Sequence, residues 1–230
     1  MVRVPVPQRP AALPTLDVDR AARALAKADP VLRRVIREVG PCTLSPRMGR
    51  SPFESLARAI AHQQLHATAA ASILRRFLAL FPGRRFPDPR AVLATDEDAI
   101  RAAGFSRAKL AALRDLAAKT LEGVVPTARV IRTLDDDTIV ERLVEVRGVG
   151  RWTVEMLLIF QLGRPDILPV DDFGVRNGFR VAYGRRAMPT PAEVFRYGER
   201  WRPYRTTAAW YLWRAADRAK SVKPDRPLTV

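Results

Sequence analysis

Helix-start signals recur along this chain, and no alternating pattern of apolar and polar residues separates them. Ser51-Pro52-Phe53-Glu54 supplies a capping hydroxyl, a proline suited to the first helical position and a glutamate able to bond back to the cap. Thr190-Pro191-Ala192-Glu193 repeats the arrangement. Pro87-Asp88-Pro89-Arg90, Thr95-Asp96-Glu97-Asp98, Ser106 after Gly104-Phe105, and Asp135 to Asp137 each open a further helical stretch. The pattern turns helical at Asp17 and pauses at Gly40-Pro41. Later helices are expected over 67–81, 152–162 and 204–220. The fold class is therefore all-α: short, individually capped helices packed around a common core.

Between the helical stretches at 139–146 and 152–162 the chain reads Val146-Arg147-Gly148-Val149-Gly150-Arg151-Trp152. Two glycines one residue apart allow a turn tight enough to bring the backbone close to whatever it faces. The helix after them begins with amides that lack internal partners and carry partial positive charge, so a phosphate can sit there. The carbonyls before them point the other way and can face a monovalent cation. Without further context the stretch is an ordinary glycine turn.

Charge supplies context. Forty Lys and Arg against 24 Asp and Glu give a formal net charge of +16 over 230 residues. The lysines are only Lys27, Lys109, Lys119, Lys220 and Lys223, so the excess is mainly arginine. Such a balance favours a polyanionic partner, nucleic acid foremost. The single cysteine, Cys42, excludes internal disulfides and a four-cysteine iron–sulfur cluster. His62 and His66 are four apart, but no third metal ligand accompanies them. No apolar run reaches membrane-spanning length, and the proline-rich start does not read as a signal peptide. A cytoplasmic, nucleoid-associated protein of a bacterium is expected. Residues 1–15 are expected to form an extended tail.

Asp172 lies twenty residues beyond Trp152, in Leu168-Pro169-Val170-Asp171-Asp172-Phe173-Gly174-Val175-Arg176. In isolation the Asp pair caps a helix. Taken with Arg147-Gly148-Val149-Gly150-Arg151-Trp152-Thr153-Val154-Glu155, it resembles the DNA-3-methyladenine glycosylase II family of the helix-hairpin-helix DNA glycosylase superfamily. Residues 59–65, 103–109 and 201–213 resemble further blocks of that family, and the likeness covers about 50–218.

The resemblance implies two helical lobes with a DNA-binding cleft between them and no N-terminal β domain. Residues 51–165 would form the central lobe; 16–50 and 166–225 would form the second. Asp172 falls on the catalytic aspartate. An alkylated purine is cationic and leaves without a general acid, so one carboxylate suffices to stabilise charge on the deoxyribose or to orient water. Reaching the base requires flipping it out of the duplex.

Lyase-active superfamily members carry a lysine nucleophile where this chain has Trp152, so a monofunctional glycosylase is implied. The base pocket would include Trp152, Trp213, Met156 and Phe53, with Trp213 stacking on the extruded base. Met156 replaces a pocket aromatic of some relatives, which opens the lesion range beyond 3-methyladenine and 7-methylguanine to 1-methyladenine, 3-methylcytosine, hypoxanthine or ethenoadenine. Gln64 and Leu65 would wedge into the duplex. Arg147, Gly148, Val149, Gly150 and Arg151 would meet DNA. Carbonyls of Val144, Val146 and Gly148 would bind Na+ or K+; no other cofactor is implied. The expected partner is duplex DNA with alkylated bases, met by a monomer. The alternatives are a bifunctional glycosylase/lyase, which Trp152 disfavours, and a non-enzymatic helix-hairpin-helix DNA-binding protein, which has no use for an acid at position 172.

Overall fold

The computed structural model describes residues 16–47 and 49–221, and among them helices alternate with turns and no strand occurs. The tail expected at 1–15 lies outside the described residues. α1 (Val18–Ala28), α2 (Pro30–Val39), α10 (Phe173–Ala182), α11 (Pro191–Gly198) and α12 (Arg205–Ser221) pack on one another. α3 (Pro52–His62), α4 (Ala67–Ala79), α5 (Pro89–Ala94), α6 (Glu97–Ala102), α7 (Arg107–Leu121), α8 (Asp136–Leu143) and α9 (Arg151–Leu157) form a second group. One apolar core runs through both groups, from Leu25 and Leu32 through Leu113 and Leu116 to Tyr211 and Leu212.

Capping follows the sequence closely, with instructive exceptions. Thr190 and Glu193 form the full reciprocal box. Ser51 accepts from the Glu54 amide at 3.1 Å, but the Glu54 side chain turns to Arg58 at 2.9 Å instead of back to the cap. A nearly buried carboxylate gains more from a cation than from one exposed amide. Asp96 makes no side-chain cap. The helix expected over 152–162 is α9 followed by a π-helical segment, Leu158–Leu162. The wider turn rotates Phe160 out to 42% exposure, whereas neighbouring Leu158 and Ile159 stay buried.

Two contacts fix the chain around Asp172. α10 and α12 cross so closely that a Cβ on Gly178 would lie 1.9 Å from the Leu212 carbonyl oxygen; only glycine permits that approach. The crossover from the π-helical segment to α10 is held to the start of α12 by Thr206, which accepts from the Ile167 amide at 2.9 Å and donates to Arg164 O at 2.6 Å. Arg205 adds a two-pronged pair to Asp166 at 2.8 and 2.9 Å. Farther off, buried Asp29 accepts from Tyr183 Oη at 2.6 Å and Trp201 Nε1 at 3.0 Å, locking the α1–α2 turn to α10 and to the turn at Glu199–Trp201.

Candidate active site

Asp172 is the N-cap of α10, as an isolated reading of the pair suggests, and it is more than a cap. Its Oδ1 accepts from the Val175 amide at 2.8 Å and from Trp213 Nε1 at 2.8 Å. Its Oδ2 accepts from Trp152 Nε1 at 2.7 Å. One indole comes from the first turn of α9 and the other from α12, so elements distant in sequence converge on one carboxylate. Gly174 makes room for this. A Cβ there would lie 2.7 Å from Trp213 Cδ1 and 3.0 Å from Asp172 Oδ1.

A cavity of about 1230 Å3 opens beside Trp152. Trp152, Met156 and Phe160 give it an apolar, aromatic side. Gln63, Gln64, Arg147 and Gly148 come from the turn after α3 and the hairpin, and Arg47 and Arg50 from the segment before α3. Trp152 is 48% exposed and Met156 is half-buried, so both can meet a ligand. Trp213 is placed differently from expectation. It is half-buried, does not line the cavity, and stacks on Phe160 with ring centroids 5.7 Å apart and planes at 23°. That face of Trp213 is already covered, and the ring presented to the cavity is Phe160. Phe53 is corrected outright: it is 5% exposed, packs edge-on against Phe86 at 6.0 Å, and belongs to the core.

The turn Gln63–His66 carries Gln64 at φ 56°, a left-handed conformation uncommon for a non-glycine residue. Leu65 beside it is 40% exposed. Gln63 fixes the turn to the hairpin through Nε2 donating to Gly148 O at 2.8 Å. Lys109, the lysine of the cavity wall, donates to Ala61 O at 2.8 Å, and burial pulls its pKa down. His62 Nδ1 lies 2.8 Å from Arg58 O.

In the hairpin, Gly148 takes φ 75°. The amides of Gly148 and Gly150 donate to no described residue, while the Arg147 amide donates to Asp115 Oδ2 at 2.7 Å. The Val149 side chain, placed by sequence among the DNA-facing residues, is 4% exposed and buried in the core; its amide closes the turn on Val146 O at 3.0 Å. Arg151 is exposed and pairs with Glu155 at 3.2 Å. Glu155 is nearly buried, and desolvation outweighs that cation to push its pKa up to about 7, with Asp171 and Asp172 adding repulsion. As for a cation, Val146 O and Gly148 O each already accept one hydrogen bond, and Glu145 O beside them accepts from the Lys119 ammonium. A carbonyl keeps a second lone pair, so these hydrogen bonds leave Val146 O and Gly148 O able to accept once more, while the Lys119 ammonium already occupies Glu145 O.

The family model for HhH-GPD superfamily base excision DNA repair proteins matches residues 57–203. This chain belongs to that superfamily. DNA-3-methyladenine glycosylase 1 of Schizosaccharomyces pombe is 40% identical over 204 residues, 88% of this chain and 90% of the relative. A solved structure of the S. pombe 3-methyladenine DNA glycosylase Mag1 with abasic DNA superposes at TM-score 0.75, with 39% identity, covering 85% of this chain and 95% of that one. A DNA-3-methyladenine glycosidase from Bacillus halodurans superposes at 0.80, with 30% identity over 88% and 91%. The all-helical HhH-GPD fold carries the hairpin, the Asp172 cap and the cavity together.

Sequence reasoning missed Phe160, Phe173, Arg47, Arg50 and Lys109. Phe160 is hidden because a regular helix would turn it elsewhere; only the π-helical segment brings it out. Phe173 is 66% exposed beside Asp172; an apolar residue directly after the N-cap Asp172 is the available signal. Arg47 and Arg50 sit in a segment with no helical period to orient them.

Proposed function

We propose that the protein is a monofunctional DNA glycosylase that hydrolyses the N-glycosidic bond of alkylated bases, 3-methyladenine and 7-methylguanine foremost, in duplex DNA. The observation that carries this reading is the carboxylate of Asp172 held by two indoles beside an aromatic-walled cavity. Three hydrogen bonds fix its orientation before substrate arrives, so little reorganisation is needed when positive charge develops on the sugar. Oδ2 has a lone pair left for the water or the sugar carbon. The base, flipped through the opening at Gln64 and Leu65, meets Phe160, Trp152 and Met156. π-Faces favour a cationic base by about 1–2 kcal/mol. Fewer hydrogen-bonding groups are needed than for a neutral base, because a cationic base is already a good leaving group.

The free amides of Gly148 and Gly150 and the start of α9 hold a DNA phosphate. Carbonyls of Val144, Val146 and Gly148 hold Na+ or K+ against the hairpin and so brace it; the hydrolysis itself needs no cofactor. Trp152 and the engaged Lys109 leave no free amine at the sugar, so the product is an intact abasic strand. The enzyme works as a monomer on the nucleoid, in keeping with its net charge of +16.

The test is release of free bases from methylated duplex DNA, resolved by chromatography, by wild type and Asp172→Asn. Wild type releases methylated purines; the variant binds DNA but is slower by at least ~100-fold. Equal release by both would refute the role of Asp172, and no release by either would favour a non-enzymatic DNA-binding protein. Borohydride added during turnover traps no protein–DNA adduct.

A further inference from the structure

We propose that Arg47 grips the phosphate of the extruded nucleotide, and so recognises flipped DNA and not duplex DNA as such. The inference rests on the glycosylase reading. Arg47 lines the cavity, its side chain is exposed, and no described residue accepts from its guanidinium or pairs with it. Its neighbour in the wall, Arg50, is partly committed to Glu54 at 3.6 Å. The backbone of Arg47 is fixed: its amide donates to Phe160 O at 2.8 Å. The residue is thus anchored to the π-helical segment whose Phe160 ring forms the cavity's aromatic face.

No described residue balances this charge. A cavity that favours a cationic base gains nothing from a second positive charge on its wall, because like charges repel. An anion between them removes the conflict. A nucleotide whose base rests against Phe160 brings such an anion with it, namely its own phosphodiester. Arginine suits the task, because its planar fork can take two phosphate oxygens at once. On the glycosylase reading the hairpin, whose Gly148 lines the cavity, is the second grip on the backbone. Two separate grips on one strand hold the nucleotide between them out of the stack, whereas undamaged duplex, with its base still stacked, engages the hairpin alone.

The experiment compares wild type, Arg47→Ala and Arg47→Lys for affinity as a function of salt. Two DNAs are used: a duplex with a tetrahydrofuran abasic analogue, and the same duplex undamaged. For the abasic duplex, Arg47→Ala lowers the slope of log K against log salt by about one. Affinity falls about tenfold, and Arg47→Lys restores the slope with part of the affinity. For undamaged duplex the slope stays at the wild-type value. A fall of the same size on both duplexes makes Arg47 a general backbone contact and overturns the inference, as does no change on either. If the wild type does not prefer the abasic duplex at all, the glycosylase reading itself fails. That result is distinct from a wild-type preference that Arg47→Ala leaves intact.

Discussion

Trp152 Nε1 donates to Asp172 Oδ2 at 2.7 Å, joining the first turn of α9 to the N-cap of α10 across the site. The tryptophan that follows the hairpin arginine thus holds the carboxylate on which the proposed reaction depends. Trp152→Phe keeps an aromatic wall and deletes the donor. A hydrogen bond to a charged group contributes about 1.5–3 kcal/mol, so single-turnover excision slows by roughly 10- to 100-fold. Binding of an abasic duplex changes by less. Excision within twofold of wild type would show that Asp172 is held well enough by Val175 and Trp213 alone.

Gly174→Ala probes the other indole. The added methyl would meet Trp213 Cδ1 at 2.7 Å, closer than real Cβ atoms come. Trp213 must shift, and with it the 2.8 Å bond to Asp172 and the stack on Phe160. Excision falls by at least ~10-fold, while the melting temperature drops by only a few degrees because Trp213 is only half-buried. Rescue by a second substitution, Trp213→Phe, is not expected, since it removes the donor as well. Full activity in Gly174→Ala would mean that Trp213 has no part in orienting the acid.

What the sequence disclosed and what it hid divide along a physical line. Caps, proline starts and the Gly148–Gly150 turn are local signals, so the order of helices and the hairpin were legible. The spacing from Trp152 to Asp172 was legible as a motif. Its purpose was not, because the hydrogen bond depends on how α9 meets the crossover. Phe53 carries the same apolar character as Phe160, yet one is core and the other lines the cavity. What separates them is a π-helical segment that no periodicity announces. Val149 reads in sequence as one of the DNA-facing residues with its neighbours, but a turn this tight leaves one side chain pointing inward.

Asp115 and Lys119 on α7 hold the hairpin from behind. Asp115 accepts the Arg147 amide at 2.7 Å and pairs with Lys119 at 3.0 Å, and Lys119 donates to Glu145 O. Burial works against the Asp115 carboxylate, but the Arg147 amide and Lys119 outweigh it and hold its pKa down. Asp115→Ala frees the Arg147 amide and leaves Lys119 held by Glu145 O alone, and the turn loses its fixed shape. Affinity for abasic duplex falls about tenfold, while excision at saturating DNA stays within about threefold. Measuring both in one titration decides the matter: an equal loss in affinity and in saturated rate would place the defect in the whole fold and not in the hairpin.

Glu155 gives the protein a pH dependence opposite in sign to that of Asp115. Its folded pKa is about 7 against an ordinary value of 4.5, because burial disfavours the charged form more than Arg151 favours it. The folded state therefore binds the proton more tightly than the unfolded state. The resulting stability is full below pH 4.5, declines as pH rises to 7, and is gone above it. Full loss amounts to about 3 kcal/mol. Glu155→Gln removes the titration and keeps the shape, at the cost of the ion pair to a largely exposed Arg151. Urea unfolding followed from pH 5 to pH 8 shows wild type losing stability relative to Glu155→Gln by up to about that amount, so that the variant overtakes it at the alkaline end. Parallel curves across the range would mean that Glu155 is ionised throughout, with the Arg151 pair compensating its burial.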